Sequence, residues 1–209
     1  MRELDAMGEI KRTLLEGLRL HGFRTFIETG TAGGVTVDVA LEAGYERVVS
    51  IELNEGFYRM AAQRFLWDQR VRILHGDSAQ LIGDVMFVLD EPAVFLLDAH
   101  YTGGDGDVRG VDGDTPVALE LEHVLAHPLR HVVLVDDARL FGVDPAYPTI
   151  DEVMARAASA GYQTEVADDI IRLTPPDLTS DLSSPTILVA DRLGRGSGFD
   201  GRLTPRTTE

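Results

Sequence analysis

The 209-residue chain contains no cysteine, which excludes disulfides, thiolate metal sites and a cysteine nucleophile. It has a single lysine, Lys11, so the Gly-Lys-Ser/Thr of a phosphate-binding P-loop is not formed anywhere. No apolar run reaches the ~18 residues that a membrane span needs, and the opening Met1-Arg2-Glu3-Leu4-Asp5 lacks a signal-peptide core. A cytoplasmic location with no membrane partner is the expectation. Positive charge is scarce: 19 Lys and Arg stand against 35 Asp and Glu, for a formal net charge of -16. Binding a polyanion needs a concentrated positive field, so nucleic acid is not an expected partner.

What is present alternates between short β-branched runs and amphipathic stretches. Strands are expected at 25–28, 47–52, 71–75, 93–98 and 131–136, with a closing pair at 162–168 and 170–174. Val94-Phe95-Leu96-Leu97 and Val132-Val133-Leu134-Val135 are continuously hydrophobic, as strands buried on both faces of a parallel sheet are. Helices are expected at 4–20, 35–43, 55–66, 117–126 and 149–160. In the first, Met7, Ile10, Leu14, Leu15 and Leu18 recur at helical spacing. Thr115-Pro116 offers an N-cap followed by a proline suited to the first turn.

The pattern predicts a doubly wound, Rossmann-like α/β fold, with a mostly parallel seven-stranded sheet and helices on both faces. One domain is expected over 1–176, opened by a lead-in helix within 1–21. A partly disordered tail, 177–209, follows, with 186–190 able to add an edge strand.

Ligands of open α/β sheets bind beyond the carboxyl ends of the strands. Five such ends here carry an acid: Glu28, Glu52, Asp77, Asp98 and Asp136. The first turn, Glu28-Thr29-Gly30-Thr31-Ala32-Gly33-Gly34, lets the backbone approach a ligand closely. The helix after it can offer N–H groups to an anion. Its glycine spacing does not meet the dinucleotide Gly-x-Gly-x-x-Gly pattern.

Glu28-x-Gly30-x-x-x-Gly34 resembles the first motif of class I S-adenosylmethionine-dependent methyltransferases, whose turn holds the methionine half of the cofactor. Ser50-Ile51-Glu52 is similar to their second motif, and Gly76-Asp77-Ser78 to their third. The resemblance implies that Glu28, Gly30, Thr31, Gly34, Glu52, Asp77, Ser78 and Asp98 bind S-adenosylmethionine. In it, Glu52 takes the ribose hydroxyls and Asp77 the adenine amino group.

Leu97-Asp98-Ala99-His100-Tyr101 and Val135-Asp136-Asp137-Ala138 surround the place of methyl delivery. Carboxylates on adjacent strand ends repel one another unless a cation lies between them, and Mg²⁺ is the natural hard, oxygen-seeking choice. The arrangement resembles metal-dependent sugar and catechol-type O-methyltransferases. That likeness implies Asp98, Asp136 and Asp137 as metal ligands, Asp98 as a catalytic group and His100 as the base. The substrate is expected to be a small hydroxylated molecule, and the alternative is a cofactor- or metal-binding relative without O-methyl transfer. An N-methyltransferase is disfavoured, because an amine nucleophile gains little from metal-assisted deprotonation.

The 102–114 loop fails as an EF-hand, because Arg109 and Pro116 stand where calcium ligands belong, and it reads as a lid over the substrate. Only 4–20, this loop and the tail are expected to cover the pocket, so a homodimer partner is expected to complete it. Phe65 and Trp67 are expected in the core. His123, His127 and His131 are expected on the surface, since Pro128 breaks their helical spacing. Arg139-Leu140-Phe141-Gly142 is expected at the pocket floor.

Overall fold

The computed structural model describes residues 2–99 and 115–178. In chain order the elements are α1 (Arg2–Leu20), β1 (Thr25–Thr29), α2 (Val35–Ala43), β2 (Arg47–Glu52), α3 (Glu55–Arg64), β3 (Val71–His75) and α4 (Ser78–Phe87). They continue with β4 (Ala93–Leu97), α5 (Val117–Ala126), β5 (Val132–Val135), a 3-10 turn (Ala138–Leu140), α6 (Ile150–Ser159), β6 (Gln163–Ala167) and β7 (Ile170–Thr174).

The strands form one seven-stranded sheet in the order β3-β2-β1-β4-β5-β7-β6. All neighbours are parallel except β7, which runs antiparallel to both β5 and β6. The strand order reverses between β1 and β4, which opens a crevice at their carboxyl ends.

Because successive strand residues point to opposite faces, the central strands feed two separate cores. Phe26, Val94, Leu96, Val132 and Leu134 pack with Leu15 and Leu18 of α1, with α2 and with Phe65. Ile27, Phe95, Leu97, Val133 and Val135 pack with α4, α5 and α6 on the other side. This parity matters for the site. Glu28 shares the α1 face with Phe26, and Asp98 and Asp136 continue the alternation of Leu96 and Leu134 toward the same helix.

Local sequence explains where the helices start. Asn54 accepts from the Gly56 and Phe57 N–H groups, and Thr149 and Glu152 form a reciprocal capping box. Asp77 accepts from the Ala79 N–H at 3.0 Å and starts α4, a helix absent from the sequence reading. The run Ser78–Phe87 carries Gly83 in its interior, and its cap, Asp77, also matches the third motif of the resemblance. Thr115 accepts from the Val117 N–H at 3.3 Å, as expected of a cap, although Pro116 rather than Thr115 immediately precedes the helix.

Two expectations are corrected. Trp67 is 90% exposed, because α3 ends at Arg64 and only Phe65 turns inward, beneath Gly34. His131 is fully buried rather than on the surface. Its Nδ1 accepts the Ala93 N–H, so Nε2 carries the proton and donates to His127 Nδ1 at 2.8 Å. Burial, then the neighbouring His127, pushes the His131 pKa down to about 4. Among the described residues no helix is long and apolar enough to cross a membrane.

Candidate active site

The β1–α2 turn is built from unusual backbone. Gly30 adopts φ +84°, and a Cβ there would lie 2.5 Å from the Asp98 carbonyl oxygen. The turn therefore rests directly on the end of β4, and only glycine allows it. Gly34, at φ +72°, would drive a Cβ to 2.7 Å from the Phe65 ring. Its role is close packing of the helix start, while a Cβ on Gly33 would meet open space.

Glu28 and Thr31 support this turn from beneath, and both are almost fully buried. The Ser50 hydroxyl donates to Glu28 Oε1 at 2.8 Å, and Thr31 and Ser50 share a 2.5 Å hydrogen bond. Burial pushes the Glu28 pKa up to about 8, the Ser50 bond opposes the rise, and the Asp98 charge adds to it.

Glu52 ends β2 with its carboxylate pinned. Oε2 accepts the Ala32 N–H at 2.8 Å and Oε1 the Asn54 N–H at 2.7 Å. A carboxylate has about four lone-pair directions, so each oxygen retains acceptor capacity for a further hydroxyl. Asp77 ends the β3 loop and caps α4, and Ser78 is buried behind it. The expected cofactor residues thus gather along the carboxyl edge of β3, β2, β1 and β4.

The centre of the crevice holds a residue that the sequence reading did not name. Lys11, reaching in from α1, donates to Asp98 Oδ2 at 2.8 Å and pairs with Asp136 Oδ2 at 2.5 Å. Burial works against its charge, but the two carboxylates more than offset this and its pKa is raised. Asp137 sits at φ +60°, with Oδ1 at 2.7 Å from Arg139 Nη1, and Arg139 also binds Asp169. Asp98 and Asp136 are therefore brought together on an ammonium group, while Asp137 faces an arginine. No group of three or more His, Asp or Glu among the described residues is arranged to share a metal ion.

His100, Tyr101, the 102–114 loop with Arg109, and the 186–190 segment lie outside the described residues. Of 139–142, Phe141 packs in the core against Tyr147, and Arg139 is exposed.

Three site residues escaped the sequence reading. Lys11 lies four residues after Met7 and four before Leu15, and that charged position within an apolar stripe was the available signal. Tyr147 lines a small cleft with Asp98, Thr115, Val117 and Asp136. Glu120 is fully buried on the opposite face of the sheet. Its carboxyl oxygens lie near the Ser78 and Thr29 hydroxyls without good hydrogen-bond geometry, and burial pushes its pKa up to about 7. Glu120 too was readable, as a carboxylate sharing the buried side of α5 with Val117, Leu121 and Val124.

Comparison with solved structures places this architecture. A caffeoyl-CoA O-methyltransferase-like protein of Staphylococcus aureus superposes with a TM-score of 0.54 at 18% identity, covering 79% of this chain and 83% of that one. An O-methyltransferase of Bacillus cereus in complex with S-adenosylhomocysteine gives 0.54 at 16% identity, over 81% and 80% of the two chains. A methyltransferase of Podospora anserina bound to S-adenosylhomocysteine gives 0.51 at 14% identity, over 84% and 88%. No family model matches the sequence, and no curated protein does. At these identities the likeness is one of fold: the chain has the Rossmann-like fold of the S-adenosylmethionine-dependent methyltransferases.

Proposed function

We propose that the protein is an S-adenosylmethionine-dependent O-methyltransferase acting on a hydroxyl of a small molecule such as a sugar or secondary metabolite. The observation that carries this reading is Glu52. It stands at the end of β2, beside the β1/β4 crevice, with both oxygens oriented by backbone N–H groups and still able to accept hydroxyls. That is the chemistry a ribose diol requires. The donor set around it also fits a sulfonium ligand, since Glu52 and Asp98 bring negative charge to the crevice.

When bound, the cofactor supplies a methyl group on positively charged sulfur, and transfer to oxygen leaves a thioether, a methyl ether and a proton. The protein's part is to align the hydroxyl and take that proton. Asp98, at the end of β4, is the described group best placed to orient the hydroxyl. His100, two residues further on, remains our candidate for the base. Positive charge near the reacting oxygen favours its deprotonation. Either Lys11 itself, or Mg²⁺ displacing Lys11, can supply it within this reading.

Calorimetric titration of S-adenosylhomocysteine into the wild type and Glu52→Ala tests the proposal. We expect wild-type binding in the micromolar range and a loss of at least about tenfold in the variant. Failure of the wild type to bind, or equal binding by Glu52→Ala, would remove the cofactor assignment.

A further inference from the structure

We infer that Lys11 holds the position a divalent cation would take, so that this enzyme works with a tethered ammonium in place of a metal ion. The inference rests on the methyltransferase reading above, and it concerns the same crevice.

Each part of the geometry bears on it. Asp98 and Asp136, at the tips of neighbouring strands, point their Oδ2 atoms at one Nζ, 2.8 and 2.5 Å away. The ammonium is nearly buried, with 13% of the Lys11 side chain exposed, and Asp136 is 8% exposed. A carboxylate pair with one member buried and the other, Asp98, part-buried is costly unless a positive charge lies between the two groups, and here that charge is covalently supplied. A metal ion at this point would have to displace Nζ and leave the ammonium buried without its partners.

The third carboxylate does not complete a metal cage. Asp137 takes the left-handed backbone conformation and turns to Arg139, which a second acid, Asp169, holds in place. Among the described residues the donor set is thus two carboxylates with an ammonium already between them, so a hydrated divalent ion, which one or two carboxylates can hold, meets a positive charge where it would bind. The chain has no other lysine, so the one it has is committed to this point.

An ammonium has three N–H donors, and among the described residues two are used. The third is available to a substrate oxygen. Such a site binds a single hydroxyl through hydrogen bonds, and it does not require the chelating pair of vicinal oxygens that a metal site does.

The test is metal binding by the full chain, read by Mn²⁺ paramagnetic resonance or calorimetry, with S-adenosylhomocysteine titrated in parallel with and without chelator. We expect no wild-type Mn²⁺ site tighter than about millimolar, and S-adenosylhomocysteine affinity changed by less than about twofold by chelator. Lys11→Met removes the ammonium from between the two carboxylates and is expected to gain Mn²⁺ affinity by at least about tenfold, a gain lost again in Lys11→Met/Asp98→Asn. A micromolar Mn²⁺ site in the wild type that Asp98→Asn abolishes overturns the inference, and so does a folded Lys11→Met that gains no affinity. Should Lys11→Met not fold, the wild type and Asp98→Asn decide alone: a shared lack of tight binding upholds the inference, and a site lost on substitution sinks it. A wild type that ignores S-adenosylhomocysteine but also ignores Mn²⁺ would defeat the cofactor reading and leave the ammonium assignment intact.

Discussion

The two ends of the central strands treat their charges in opposite ways. At the amino ends of β1, β2 and β4, Glu91 receives Arg24 at 2.5 Å, Arg47 at 2.7 Å and the Thr25 hydroxyl at 2.9 Å. Although burial alone would raise it, these donors hold the Glu91 pKa down to about 2. At the carboxyl ends, Glu28 and Glu120 are fully buried with little to stabilise their charge, and their pKa values rise to about 8 and 7. One lysine serves Asp98 and Asp136 there. The amino end is satisfied internally, as befits a part whose task is to hold the sheet together. The carboxyl end keeps acids in unfavourable surroundings, which is where a ligand-binding function is expected to store such cost.

The largest break in this contrast comes from Gly30→Ala. Alanine is strained at φ +84°, and its methyl would collide with the Asp98 backbone rather than with a side chain that can move aside. We expect a loss of about 4 kcal/mol in unfolding free energy by urea titration. In protein that remains folded, S-adenosylhomocysteine binding should disappear. A variant with wild-type stability and affinity would mean that the turn does not rest on β4 as described.

The next effect is a pH dependence that the two ends share with opposite sign. Glu120 has a folded pKa of about 7, above its ordinary 4.5, so folding favours its protonated form. That contribution is complete below the ordinary value and is lost as pH rises through about 7, with Glu28 following through about 8. Glu91 behaves in reverse: its contribution is present above 4.5 and is lost as pH falls through about 2. Replacing Glu120 by Gln should flatten the alkaline side. Relative to the variant, the wild type should lose about 3 kcal/mol between about pH 5 and pH 9 in denaturant melts. Parallel profiles for the two proteins would show that the Glu120 carboxyl is not held in its neutral form.

Most of the fold was legible because parallel strands buried on both faces announce themselves as hydrophobic runs, and β4 and β5 are such runs. The acids at the strand ends were legible for a related reason: a turn follows each strand, so position along the chain gives position at the crevice. Helix α4 was missed because its starting residue, Asp77, also matched a cofactor motif, and the capping role went unread. The cation at the centre of the site was not legible for a deeper physical reason. Convergent carboxylates imply a cation, but sequence alone does not say which one, because Lys11 and Asp98 are 87 residues apart and meet only when α1 packs on the sheet. Trp67 illustrates the same limit on the surface, since hydrophobicity predicted burial and the end of α3 turned the ring outward.

The smallest effect expected is the one that sharpens the comparison most. Glu91→Ala removes the carboxylate that joins Arg24, Arg47 and Thr25, yet both guanidinium groups are about half exposed and can return to water. Its cost should therefore be that of a surface ion-pair network, about 1 kcal/mol, and should shrink as salt is raised. Because Glu91 lies at the far end of the strands from Glu52 and Lys11, S-adenosylhomocysteine affinity should stay within about twofold of the wild type. Measuring melting and binding on the same sample separates the two ends directly. A stability loss with unchanged binding supports the division of labour between them. A parallel loss of affinity would mean that charge at the amino end reaches the crevice through β1, and that the two ends work as one unit.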